Sequence, residues 1–299
     1  MATWYISPTG DDTNGDGSQT NPWKTLNKAY SSAADGDTII LMDGIYDGES
    51  ISSFSKDLTF KAQNAPKGLV WNAIMDAKSG PVVFKFGAPK SMTFDGIAFE
   101  NVITQYWDFC FFLVYDLIAP PGTFTLNLLN CKFKDIAINV DRTTNEQGLI
   151  GVIRSTSDYI LNLTIDKCLF VDLKEVGTVH QGHFALTKSS NGAGIWNIYN
   201  STFHFKKIQK PIYELFYIQN NTTSINFKNC IINNTGGAIN WGNSYANSYS
   251  IIVNSCINGI NNVPSGTNVL NTDPKFIDQD NENYYLHPTS PCIDTGILV

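Results

Sequence analysis

Six segments of this chain repeat one pattern, and that repeat limits the possible folds more than any other feature. They are MTFDGIAFENV (92–102), LNLLNCKFKDI (126–136), LTIDKCLFVDL (163–173), WNIYNSTFHFK (196–206), INFKNCIINNT (225–235) and IIVNSCINGI (251–260). Each is an alternating β run, a polar turn residue and a second short β run. Aligned, they place Ile97, Cys131, Cys168, Ser201, Cys230 and Cys256 in one column, at intervals of 34, 37, 33, 29 and 26 residues. A period in this range marks a solenoid, propeller or array.

The intervening stretches VVFKFG, FFLVYD, LIGVIRS, FALTKS, YELFYIQ and AINWGN read as a further strand in each unit. About three short strands and no helix per unit, with few hairpin turns, disfavour a four-stranded propeller blade. The pattern predicts an all-β, single-domain right-handed parallel β-helix of about 7–9 rungs. Rungs of a parallel sheet lie about 4.8 Å apart, so equivalent inward residues stack. Small cysteines suit such a core better than disulfides would. Asn130, Asn200 and Asn229 precede the column and suit sharp corners whose side-chain amides bond between rungs. The cysteines at 110, 131, 168, 230, 256 and 292 include no C-x-x-C pair, which argues against zinc.

A solenoid needs its ends covered. NPWKTLNKAYSSAADGDT reads as a short capping helix, with Asn21 as N-cap and Pro22 at the first helical position. Trp23, Leu26, Tyr30 and Ala33 share its apolar face. The expected organisation is one domain over 1–299. Residues 1–46 form the N-terminal strand, loop and capping helix, 47–263 the rungs and 264–299 the C-terminal closure. The loop before the helix contains Asp12-Thr13-Asn14-Gly15-Asp16-Gly17, the opening of an EF-hand loop. The closing position, which needs a bidentate Glu, holds Trp23. The loop is therefore expected to turn the chain rather than hold calcium.

The stretch 4–46 carries Ser7-Pro8-x-Gly10, Pro22-x-Lys24-Thr25, Ala33-x-x-Gly36-Asp37-Thr38-Ile39 and Gly44-x-Tyr46. It resembles the N-terminal cap of pectate-lyase-like right-handed β-helix proteins. DPKFIDQDNENYYLHPTSPCIDTG (273–296) resembles the C-terminal closure of many such chains. The resemblance implies the fold over nearly the whole chain. It also implies a choice among calcium-dependent polysaccharide lyases, glycoside hydrolases, phage tail spikes and non-catalytic surface proteins. An extracellular or cell- or virion-surface location goes with it, although the N-terminus shows no secretory signal pattern.

Composition narrows the partners. Charged residues are 16% of the chain and the net charge is −7, with no basic stripe, so nucleic acid is not an expected partner. No apolar run is long enough for a membrane span. A polysaccharide is the expected partner, and a homo-oligomer stays open.

Elimination from a uronate needs a base and a cation or Arg to neutralise the carboxylate. The Arg-x-Pro-x-x-Arg motif of extracellular pectate lyases is absent. Four residues after the column stand Asn101, Asp135 and Asp172, on consecutive units beside the long loops 134–148 and 171–183. Asp135 and Asp172 are the candidates for a Ca2+ site or an acid/base pair. Arg154 or Lys188, on the following strands, is the candidate base or carboxylate clamp. Glu214, in an aromatic strand, is a further candidate acid. Arg142, Trp107, His183, Trp196 and Trp241 are candidate substrate contacts. The first reading is a lyase of an acidic polysaccharide. Its alternatives are a non-catalytic glycan-binding surface protein and a glycoside hydrolase using the paired aspartates.

Overall fold

The computed structural model describes residues 1–76, 84–102, 110–115, 122–139, 147–155, 159–176, 182–189, 194–206, 212, 214–219 and 223–293. Alternating strands such as Tyr159–Asp166 bury every second residue and expose the others in part. Each such strand therefore has one core face, and the chain coils to bring these faces together. From Thr38 onward the described strands make eight successive turns, forming a right-handed parallel β-helix with three faces. The first face runs from Thr3–Ile6 through Thr38–Leu41 to Ser224–Lys228. The second runs from Gly44–Asp47 through Leu169–Val171 to Ile231–Asn234. Ser250–Asn258 rounds the corner unbroken and joins these two faces into one 17-stranded sheet. The third face is an eight-stranded sheet from Ile51–Phe54 to Ile260–Asn261.

The corner between the first two faces takes one residue in the left-handed region: Gly96, Asn130, Lys167, Asn200, Asn229 or Asn254. Asn tolerates that conformation because its amide bonds locally. Here the amides also bond between turns. Asn200 Nδ2 donates to Asp166 Oδ1 at 2.7 Å, and Asn229 Nδ2 donates to Asn200 Oδ1 at 3.1 Å.

The next residue of each turn is the column, buried and without disulfides among the described cysteines. Its role is more than filling space. The Cys168 N–H donates to Ser201 Oγ at 3.0 Å, and the Cys230 N–H donates to Ser255 Oγ at 3.2 Å. Ser201, Ser255 and, for the Cys131 N–H at 3.4 Å, the Cys168 thiol thus serve backbone N–H groups that the sharp corner leaves outside the strand ladder. The last member of the column is Ser255, not Cys256. Cys256 pairs in register with Ile231, one position on. Inside the second face, Phe99, Phe133, Phe170 and Phe203 stack with ring centroids 4.9, 4.8 and 4.7 Å apart.

The capping helix is Leu26–Ser32, shorter than expected, and its N-cap is Thr25, whose side chain accepts from the Lys28 N–H. Asn21 instead donates to Asn14 O. Trp23 precedes the helix, stacks on Trp4 at 5.0 Å and donates to Gly15 O. Asp12 accepts from the backbone of Lys24 and Thr25 and from the Thr25 hydroxyl, so the loop serves the helix start. At the other end, Ile260, Val263 and Val269 cover the last turn. The antiparallel pair Phe276–Asp278 and Asn283–Leu286 then folds back along the outer side of the second face. Tyr284 and Phe276 pack there on Leu169 and Val171.

Candidate active site

Asp135 and Asp172 occupy equivalent corners between the second and third faces. Asn101, Asp135 and Asp172 all have positive φ, at 56°, 54° and 58°. The flanking pairs Glu100–Lys134 and Lys134–Val171 place them on consecutive turns, about 4.8 Å apart along the axis. The expected register is therefore the one observed.

The surroundings of Asp172 were not legible in the sequence. Phe205 is its register equivalent on the next turn, and Lys206 follows. Lys206 Nζ lies 3.4 Å from Asp172 Oδ2, with the carboxylate side chain 7% exposed and the lysine 31%. Asp172 Oδ1 is buried with no hydrogen-bond partner among the described residues. Burial pushes the Asp172 carboxyl above its ordinary range. Lys206 pulls it back, and Asp135 and Glu282 add to the rise.

The C-terminal hairpin supplies the rest of this surface. Glu282 Oε1 bridges Lys134 Nζ at 2.5 Å, and Glu282 Oε2 lies 3.5 Å from Lys132 Nζ. Tyr284 is buried beside the corner, and burial with the nearby Asp172 and Glu282 charges holds its phenol protonated. His204 lies against Tyr284 and Phe276, with ring centroids 5.3 and 6.0 Å away. Burial, helped by Lys206, lowers its pKa to about 4 and keeps the imidazole neutral.

Calcium takes six to eight oxygen ligands. An ammonium group sits on Asp172, and no three described His, Cys, Asp or Glu side chains are grouped to hold a metal. The described residues of this corner do not fit a calcium cage.

Glu214 and His183 come together on the third face, where their strands pair in register. His183 Nδ1 lies 3.6 Å from Glu214 Oε2, and the Tyr217 ring is centred 5.1 Å from the imidazole. His183 has no exposed surface and Glu214 very little, so this pair braces adjacent strands rather than presenting a surface. Arg154 and Lys188 belong to the neighbouring strands Gln147–Ser155 and Gly182–Ser189. Each immediately precedes a member of the Ser155–Ser189 register pair, although their side chains lie outside the described residues. Both stand towards the ends of strands that begin nearer the aspartate corner, so the third face separates them from Asp172. Arg142 and Trp107 lie outside the described residues.

Two expected substrate contacts are corrected. Trp196 and Trp241 are 1% and 0% exposed and belong to the core. Trp196 shares the inward face of its strand with Ile198 and donates to Leu161 O. Trp241 packs on Phe216 and Phe227 with centroids 5.1 Å away. Neither can stack on a sugar.

No family model matches this chain, and no curated protein matches it. Several solved structures are similar to it. One is the pectin methylesterase PemA from Erwinia chrysanthemi, at 13% identity and TM-score 0.41, covering 91% of this chain and 81% of that one. The pectate lyase Pel9A aligns at 14% identity and TM-score 0.36, over 100% of this chain and 92% of the other. A rhamnogalacturonan lyase aligns at 10% identity and TM-score 0.34, over 85% and 87%. At these values the likeness assigns no activity.

Proposed function

We propose that this chain is a carbohydrate-active β-helix protein that cleaves an acidic, uronate-containing polysaccharide by β-elimination at the Asp135–Asp172 corner. The observation that carries the reading is the buried Asp172 carboxyl, raised in proton affinity, with the Lys206 ammonium 3.4 Å away and Asp135 one turn before it. Asp135 and Lys206 retain exposed surface, so a chain of sugars meets them first. Lys206 pairs with the uronate carboxylate. Asp135 takes the proton α to that carboxylate. The C–O bond at the β position then breaks as the double bond forms, and Asp172 returns a proton to the departing oxygen. Arg154 and Lys188 lie across the third face from this corner, so the clamp and base roles fall to Lys206 and Asp135. The resemblance of residues 4–46 to the cap of pectate-lyase-like proteins agrees with the substrate class, and a cell-exterior location follows from it.

One observation favours a second reading, a glycan-binding protein without turnover: Asp172 is only 6% exposed. Incubation with uronate polymers separates the two. A rise in ultraviolet absorbance from the unsaturated product, lost in Asp172→Asn and Lys206→Ala, supports elimination. New reducing ends without that absorbance mean hydrolysis by the aspartate pair. Binding with neither signal favours the second reading. Full turnover in both variants overturns the site.

A further inference from the structure

A cavity of about 350 Å³ opens on the outer side of the second face, between residues 65–71 and the C-terminal hairpin. Its size lies within the range of small-ligand sites. Trp71, Asn130, Lys167, Asn200, Leu69 and Tyr284 contribute to its wall. Trp71 is held rigidly: its indole N–H donates to Asn130 O at 2.7 Å, and Lys132 Nζ lies 5.9 Å from the ring centroid. With Tyr284, it gives the cavity fixed aromatic surface at little entropic cost.

Lys167 is the unusual member. It stands in the corner column otherwise filled by Gly96, Asn130, Asn200, Asn229 and Asn254, and it holds the same left-handed conformation, at φ 55°. Asn bonds its own backbone and its neighbours there, whereas a lysine gains neither. The amide ladder is interrupted at this turn, and Asn200 bonds to Asp166 instead. Asp166 is thereby engaged. Lys167 is exposed and forms no ion pair among the described residues. The fold therefore tolerates a poor corner residue in order to place a cation on this wall.

We propose that the cavity is a subsite for one uronate residue of a glycan, with Lys167 pairing with its carboxylate and Trp71 and Tyr284 lying against its ring. The proposal rests on the acidic-polysaccharide reading above and deepens it. Tyr284 lines the cavity and is close enough to feel the Asp172 charge, so the two places share one side chain.

The test is calorimetric titration with trigalacturonate and with its methyl ester. The wild-type protein is expected to bind the acid more tightly than the ester. Lys167→Asn restores the residue the corner prefers, so its melting temperature should hold or rise. Its affinity for the acid should fall about tenfold or more, to that of the ester. Trp71→Ala should weaken acid and ester alike. Unchanged acid binding in Lys167→Asn overturns the subsite. Absence of wild-type binding also overturns it, and turnover of uronate polymer by the same preparation then shows that the subsite alone has failed.

Discussion

Lys206 Nζ stands 3.4 Å from the buried Asp172 Oδ2, joining two consecutive turns across an outer corner. Removing the cation leaves a carboxylate in a poorly solvated site. Lys206→Met should cost about 1–2 kcal/mol at neutral pH, less than for a fully buried pair because solvent reaches the lysine. The pH dependence has a definite sign. Asp172 binds its proton more tightly folded than unfolded, so its contribution declines as pH rises from 3.8 through the raised folded value. Urea midpoints between pH 3.5 and 7 should show that decline in the wild type. It should be larger in Lys206→Met and smaller in Asp172→Asn, where Glu49, also raised by burial, still contributes.

Asp37 behaves in the opposite sense. Backbone N–H groups of Ala2 and Ala34 and the Trp4 indole donate to its carboxylate and lower its pKa to about 2. Its stabilisation is present above 3.8 and lost as pH falls towards about 2. Asp37→Asn should destabilise the N-terminal cap by about 1–3 kcal/mol at neutral pH. The difference from wild type should shrink at acid pH. Thermal melts over that window, read together with limited proteolysis near Ala2, check both statements.

The same corner chemistry explains what the sequence made legible. Alternation and the repeated Asn-before-column signal were enough to place the faces and to set Asp135 beside Asp172, because both are local and recur each turn. Aligning on cysteine misplaced Cys256. Aligning on Asn254, which carries the left-handed corner, puts Ser255 in the column. Alternation, rather than aromatic size, decides the place of Trp196 and Trp241: Ile198 and Ile239 mark the inward side of those strands. The docking of Tyr284 and Glu282 on the second face left no local signal. It depends on contacts more than 100 residues apart in the chain, such as Glu282 with Lys134.

Phe133 tests how strongly neighbouring turns depend on one another. Its ring is fully buried between Phe99 and Phe170. Phe133→Ala should cost about 3–5 kcal/mol through lost burial and the cavity left behind. Phe133→Leu should cost less. In a solenoid each turn is supported mainly by its neighbours. The Ala variant should therefore show faster hydrogen exchange first in 98–100 and 169–171, the second-face strands on either side, before the cap at 26–32 responds.

Cys256 and Cys292 give the most selective chemical prediction. Cys256 stands one position past the column, where its thiol donates to Thr272 O at 3.3 Å and neighbours Cys292. The neighbouring Cys256 thiol, with Ser290 beside it, lowers the Cys292 pKa despite partial burial. The column thiols Cys168 and Cys230 are driven the other way by burial, with Cys230 pushed up to about 12. The thiolate is the reactive form, so Cys292 should alkylate first among the described cysteines. Brief iodoacetamide treatment of the folded protein followed by peptide mapping should find Cys292 modified while Cys131, Cys168 and Cys230 stay intact. Cys256→Ala removes the neighbour that lowers the Cys292 pKa, and Cys292 should then react several-fold more slowly near neutral pH. Equal rates in the two proteins would show that the thiol pair does not set the reactivity of Cys292.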